Sequence, residues 1–174
     1  MRLLVAALSL LALVSCAARS GDVAPSAVRT AWPDDWVGTW EGELVVEGDA
    51  RIEPVLFRLE IGTLAESGVR PWRLTYGDAP TRDYRLVEVD AARGRWAIDE
   101  QNGIVLPARR MGDALIGGFS VGEQILVTHQ RFHDDRIEHQ ILVVSSVGDA
   151  TGGGVNTFPA RGWQHATLRR GAPR

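Results

Sequence analysis

The chain of 174 residues contains no lysine and a single cysteine, Cys16. Its 19 basic residues are therefore all arginine, and 22 carboxylates leave a net charge of −3. A nucleic-acid-binding domain normally has a positive balance and a basic face, so we expect no nucleic-acid partner. Because Cys16 is the only thiol, the rest of the chain can form no disulfide, cysteine nucleophile or cysteine metal site.

Long hydrophobic runs are also scarce. The main apolar run, 3–14, is interrupted by Ser9 and is shorter than the ~20 residues that a membrane-spanning helix needs. It follows Arg2 and ends in small residues before Cys16, which is typical of a cleaved export signal. An uncleaved N-terminal membrane helix is the alternative.

The segment Leu13-Val14-Ser15-Cys16 resembles the lipobox of bacterial lipoproteins. The resemblance implies that the Cys16 thiol is diacylated and its new amino terminus acylated, with palmitate as an expected acyl chain. Two or more chains make membrane anchoring stable. In this family an acidic residue after the cysteine often retains the protein in the inner membrane, whereas here Ala17 and Ala18 follow. We therefore expect a lipid anchor in the outer membrane, with the protein facing the periplasm or the cell surface.

The sequence divides into three parts. Residues 1–15 form the predicted lipoprotein signal peptide, and 16–31 form a lipid-anchored flexible tether of mostly small residues without apolar periodicity. Residues 32–170 form a single domain of short alternating segments separated by Gly, Pro, Asp and Asn, the pattern of an all-β fold. Because barrel closure hides strand edges, we predict an antiparallel up-and-down barrel of about 8–10 strands. A two-sheet β-sandwich gives the same pattern and is the alternative.

A two-residue turn at Asp134-Asp135 predicts the register of one hairpin. It sets Arg131 opposite Glu138, an ion pair suited to the outer surface, so the other face is directed inward. The inward pairs are Phe132 with Ile137, Gln130 with His139, Thr128 with Ile141, and Leu126 with Val143.

Thr128, Gln130 and His139 thus form a polar cluster on an otherwise apolar inward face. Buried polar groups need partners. In one interpretation the cluster binds a ligand carboxylate, hydroxyl or carbonyl. In the other, Gln130 and His139 bond each other and close the core.

Four aromatic residues are the remaining candidates for a ligand site. Trp40, Trp72, Tyr76 and Trp96 fall on predicted strands, and aromatic side chains with few polar groups are typical of ligand pockets. Plain core packing is the alternative. For Trp96, a four-residue loop before it predicts a hairpin that sets Val89 opposite Trp96 and Val87 opposite Ile98.

Gly38-Thr39-Trp40 resembles the G-x-W of the first strand in lipocalins and related calycin barrels. In that family the tryptophan packs across the barrel base near a basic side chain of the last strand, a part that Arg169 or Arg170 would play here. The resemblance also implies a small hydrophobic or amphipathic ligand inside the barrel.

The same strand is similar to the opening strand of nitrobindin-like haem barrels, in which a histidine near the C-terminus ligates haem. His165 would be the matching residue. Strand alternation argues against this role, since His165 faces solvent if Ala166 and Leu168 face the core. We therefore expect no cofactor.

No motif for catalysis or metal binding stands out. The sequence has no Gly-x-Ser-x-Gly elbow, and His129 and His133 lie roughly 13 Å apart along a strand. We expect neither an enzyme nor a metal protein. The predicted function is a membrane-anchored envelope lipoprotein whose barrel binds a small lipophilic or amphipathic ligand. The alternative is a structural or interaction lipoprotein with a filled core, whose protein partner the sequence does not identify.

Overall fold

The computed structural model describes residues 31–49 and 52–171, in which ten strands close into one antiparallel barrel. Each barrel strand pairs with the next along the chain, and the last one closes the barrel on the first. The barrel strands are β1 (Gly38–Gly48), β2 (Ile52–Ile61), β3 (Val69–Tyr76), β4 (Arg82–Asp90), β5 (Arg95–Asp99), β6 (Val105–Met111), β7 (Ala114–Val121), β8 (Gln124–Phe132), β9 (Arg136–Ser145) and β12 (Ala160–Arg170). The predicted all-β up-and-down barrel is confirmed, and the sandwich alternative is wrong.

Three shorter elements complete the fold. Strands β10 (Asp149–Gly152) and β11 (Val155–Thr157) pair in a hairpin of their own between β9 and β12. Short 3-10 helices span Asp34–Trp36 and Ala91–Arg93. Within residues 31–49 and 52–171, no helix has the length and apolar character needed to cross a bilayer. Cys16, the predicted signal peptide and nearly all of the predicted tether lie outside the described residues.

The alternation of apolar and charged residues produces the barrel wall. In β2, the side chains of Phe57, Leu59 and Ile61 are buried on the inner face. Arg58, between them, lies on the outer face, where its Nε is 2.6 Å from Glu41 Oε1 of the neighbouring β1. Period-two alternation is therefore the local cause of an apolar interior and a charged exterior.

The predicted register of the β8–β9 hairpin is confirmed. Phe132 pairs with Ile137, Gln130 with His139, and the alignment continues unbroken to Gln124 and Ser145. A two-residue turn leaves no freedom in this alignment, because a slip by one residue would expose the apolar set.

The predicted register of the β4–β5 hairpin is wrong by one residue. Glu88, and not Val89, lies opposite Trp96, and a bulge follows at Val89 before Asp90 pairs with Arg95. The Asp90 side chain accepts a hydrogen bond from the Arg93 amide and caps the 3-10 turn. The bulge adds one residue to β4, so the inward face of β4 is the opposite of the predicted one.

One end of the barrel, which we call the base, is filled by aromatic rings. The segment before β1 carries Trp32 and Trp36 under the barrel, and both rings contact Phe132, at centroid distances of 4.6 and 5.1 Å. The Trp32 ring also meets Trp96 edge to face at 5.7 Å. Such tilted contacts are favourable ring geometries, so the base is a packed aromatic core.

Trp40 and Arg170 join the first and last strands at the base. Trp40 is fully buried, and its Nε1 donates to the Trp36 carbonyl over 2.9 Å. The Arg170 guanidinium lies 4.5 Å from the Trp40 ring centroid and donates to the carbonyls of Val37 and Asp35. Of the two arginines that the calycin resemblance indicated, Arg170 is the one against the tryptophan.

Candidate ligand cavity

The half of the barrel opposite to the base, which we call the open half, contains a cavity of about 980 Å³. It opens at the end opposite to the base, where the lining residues Ile52, Ile104 and Val121 are about half exposed. Ligand pockets for small molecules commonly enclose roughly 300–1,000 Å³. The wall is mostly apolar and includes Leu44, Val55, Leu74, Ile98, Leu106, Ala108, Leu115, Phe119, Leu126 and Ile141.

The predicted site residues divide between the cavity and the base. Trp72, Tyr76, Thr128, Gln130 and His139 all line the cavity. The other two aromatic candidates, Trp40 and Trp96, belong to the packed core at the base and do not line it. That the five lining residues bind a ligand stays a prediction.

The polar cluster at the deep end of the cavity is built across the β8–β9 pair. Gln130 Nε2 donates to His139 Nδ1 over 3.3 Å, and Thr128 Oγ1 donates to the Gly117 carbonyl over 3.4 Å. With Nδ1 accepting, the His139 proton lies on Nε2, which is buried and has no hydrogen-bond partner among the described residues.

Burial controls the charge of His139. Its side chain is 3% exposed, and its ring packs 4.6 Å from the ring of Phe57. Desolvation lowers the pKa of His139 to about 4, so the imidazole is neutral at pH 7. The deep end of the cavity therefore offers neutral hydrogen-bonding groups.

A second polar cluster lies at the cavity mouth and consists of Tyr76, Arg82, Tyr84 and Glu100. The Arg82 guanidinium lies 5.0 Å from the Tyr76 ring centroid, and Tyr84 interacts electrostatically with both Arg82 and Glu100. Burial, together with the Glu100 carboxylate, raises the pKa of Tyr84, so the phenol is protonated at neutral pH. Burial also raises the pKa of Tyr76.

Sequence reasoning missed Arg82 and Tyr84 because it assigned the wrong face of β4 to the interior. With Val87 and Val89 directed inward, the even-numbered residues of β4 would have faced solvent. The signal that could have found them is the Asp90-to-Gly94 segment. Asp90 followed by a turn ending in glycine favours a capped 3-10 turn, and Gly94 has the left-handed φ of 66° that closes it.

Neither a metal site nor a haem site is formed by the residues considered for them. In the two described segments, no three His, Cys, Asp or Glu side chains are grouped to hold a metal ion. His165 lies on the outer face between the inward-facing Gln164 and Ala166, with its ring 6.3 Å from Trp163. It therefore does not fit as an axial haem ligand inside the barrel.

Comparison with known proteins supports the fold alone. No family model matches the sequence, and no curated protein matches it. The structure is similar to the crystal structure of a protein of unknown function from the DUF3598 family of Nostoc punctiforme, with a TM-score of 0.58 and 13% sequence identity. The alignment covers 79% of this chain and 48% of that protein, so the chain spans about half of its length.

Proposed function

We propose that this protein is a membrane-anchored envelope lipoprotein whose barrel binds a small lipophilic or amphipathic ligand. The observation that carries the proposal is the mostly apolar cavity of about 980 Å³ that opens at one end of the barrel. An apolar ligand that enters it moves apolar surface out of water, at a gain of roughly 25 cal/mol per Å² of buried apolar surface. The lipobox-like segment at Cys16 supports the anchor, with the outer membrane as the proposed location.

A binding role fits the cavity better than catalysis. His139 is the one histidine on the cavity wall, and its Nδ1 faces the Gln130 amide where a catalytic histidine would have a carboxylate. Its low pKa also makes it a weak base at neutral pH. We therefore propose that the chain is not an enzyme.

Binding is tested by isolating the full chain from its own envelope and identifying the small molecules that copurify. We expect a lipophilic compound in stoichiometric amount. An Ala108→Phe variant should lose it because the added ring enters the cavity, whereas Val105→Phe adds the same ring on the outer face and should retain it. Equal recovery of the compound from both variants would contradict binding in the cavity.

The anchor requires its own test. Metabolic labelling with a palmitate analogue should mark the protein in membrane fractions, and a Cys16→Ala variant should carry no label. Label retained by the Cys16→Ala variant would show that another residue is acylated and would contradict the proposed anchor.

A second candidate function, a structural or interaction lipoprotein, is supported by the outer wall. Val127, Leu142 and Trp163 are direct neighbours across β8, β9 and β12, and all three face outward. Adjacent outward apolar side chains are typical of an interaction surface. Trp163→Arg should abolish a specific partner contact, measured by cross-linking in cells, and leave ligand recovery unchanged.

A further inference from the structure

The mouth of the cavity holds a cation that is stacked on an aromatic ring. Arg82 is the first residue of β4, and its exposed side chain places the guanidinium 5.0 Å from the Tyr76 ring centroid. Stacking on an aromatic ring restricts this long side chain. The cation is therefore partly ordered before an anion binds.

Arg82 forms no ion pair in the described part of the chain. In residues 31–49 and 52–171, no carboxylate oxygen comes within 4.0 Å of its guanidinium. The nearby acidic side chain, Glu100, accepts a hydrogen bond from Asn102 Nδ2 over 3.3 Å. A ligand anion at the mouth would thus meet a guanidinium that is not paired with a carboxylate of the described residues.

The deep end holds a complementary pair of neutral groups. His139 Nε2 carries a proton without an acceptor, and Gln130 Oε1 forms no hydrogen bond with the described residues. A hydroxyl is a small ligand group that both donates and accepts, so it matches this pair. An ionised group is disfavoured here because the neutral His139 provides no counter-charge.

The two polar clusters are connected by a short path of ring contacts. The Arg82 guanidinium lies 5.0 Å from the Tyr76 ring centroid, Tyr76 lies 4.8 Å from Phe57, and Phe57 lies 4.6 Å from His139. The rest of the cavity wall is mostly apolar. One ligand can therefore reach both clusters if a short aliphatic chain connects its polar ends.

We propose that the ligand is an aliphatic acid with a distal hydroxyl, its carboxylate held by Arg82 and its hydroxyl held by Gln130 and His139. This inference rests on the proposed ligand-binding function. It adds to that function the orientation of the ligand and the chemistry of both of its ends.

Four ligands of one chain length test the inference: octanoic acid, 8-hydroxyoctanoic acid, octan-1-ol and octane-1,8-diol. The full chain is reconstituted in phosphatidylcholine nanodiscs, and each ligand displaces Nile red, an uncharged apolar dye. Partition of a ligand into the bilayer is the same for every variant, so it cancels when variants are compared. We expect the hydroxy acid to bind most tightly and octan-1-ol most weakly.

Variants of the protein then identify the residue that binds each end of the ligand. Arg82→Gln should weaken both acids by about tenfold and leave both alcohols unchanged, since only the acids lose a charged partner. Arg85→Gln, on the outer face of the same strand, is the matched control and should change nothing. Gln130→Leu, or Gln130→Met if the first variant does not fold, should remove the preference for the distal hydroxyl and retain binding of octanoic acid.

The outcomes separate this inference from the function on which it rests. If Nile red and all four ligands fail to bind, the proposed function falls and the inference falls with it. If all four ligands bind with equal affinity, or if Arg82→Gln weakens alcohols as much as acids, the inference is overturned while ligand binding stands. A hydroxyl preference that persists in the folded Gln130 variant overturns the deep contact.

Discussion

The base and the open half of the barrel are built from the same strands, yet their interiors differ. At the base, Trp32, Trp36 and Phe132 fill the space between the strands with rings in contact. In the open half the same strands present aliphatic side chains to a cavity of about 980 Å³. The comparison indicates that packing at the base stabilises the fold, whereas the open half has space for a ligand.

The largest expected effect is the difference in unfolding free energy between a residue packed at the base and a residue that lines the cavity. Trp40→Ala should lower the free energy of unfolding by about 3–5 kcal/mol, because Trp40 is fully buried and its ring packs against Arg170. Leu106→Ala, on the cavity wall, should cost about 1 kcal/mol because its neighbours on one side are already missing. Chemical denaturation followed by far-UV circular dichroism measures both. Equal losses of unfolding free energy in the two variants would contradict the difference in packing between the base and the open half.

The next effect concerns acid sensitivity at the boundary between the two halves. Well above its ordinary pKa of 6.5, His139 is neutral in both the folded and the unfolded chain. As the pH falls towards the folded pKa of about 4, only the unfolded chain takes up the proton, so stability is lost. Over this window the loss from His139 should be about 3 kcal/mol.

The variant His139→Gln should lack this part of the loss when unfolding is measured at pH 7 and pH 4. His129→Gln is the matched control, since His129 lies on the outer face with Nδ1 at 3.1 Å from Gln140 Oε1. This variant should retain the part of the loss that comes from His139. An unchanged pH dependence in His139→Gln would contradict the burial of a neutral imidazole.

Enlarging a small side chain is a further test of the difference in packing between the base and the cavity wall. Ala166→Leu should destabilise the protein by about 1–3 kcal/mol, because Ala166 is buried opposite His139 in packed surroundings. Ala108→Leu places the same three carbons in the cavity and should change stability by less than about 0.5 kcal/mol. Thermal unfolding of the two variants provides the measurement. A large loss in Ala108→Leu would show that the cavity wall does not accept added volume.

The smallest effect concerns the ion pair that joins the base segment to the barrel. Arg70 is 7% exposed and pairs with Asp34, which is 66% exposed. Asp34→Asn should cost about 1 kcal/mol, since it leaves a buried guanidinium without its charge partner, although water still reaches the site. Asp83→Asn removes the exposed pair with Arg73, at 2.9 Å, and should change stability by less than about 0.5 kcal/mol. Identical denaturation midpoints for the two variants would count against a role of Arg70 in closing the base.

The candidate site was predictable in part, and the two hairpins show why. The β8–β9 turn has no spare residue, so counting from Asp134-Asp135 placed Gln130 opposite His139 correctly. The β4–β5 connection contains a bulge at Val89, and counting across it reversed the face of β4. A bulge is favoured by contacts between strands, which period-two alternation along one strand does not express.

The sequence by itself determined the class of fold, the inward face of most strands and the deep polar cluster, because strand alternation decides which side chains leave water. Only the tertiary structure decided which aromatic residues line the cavity. Alternation distinguishes inside from outside but carries no information on height along the barrel axis, so Trp40 and Trp72 looked equivalent. Their heights follow from barrel closure and from the segment of Trp32 and Trp36, which fills one end and leaves the other open.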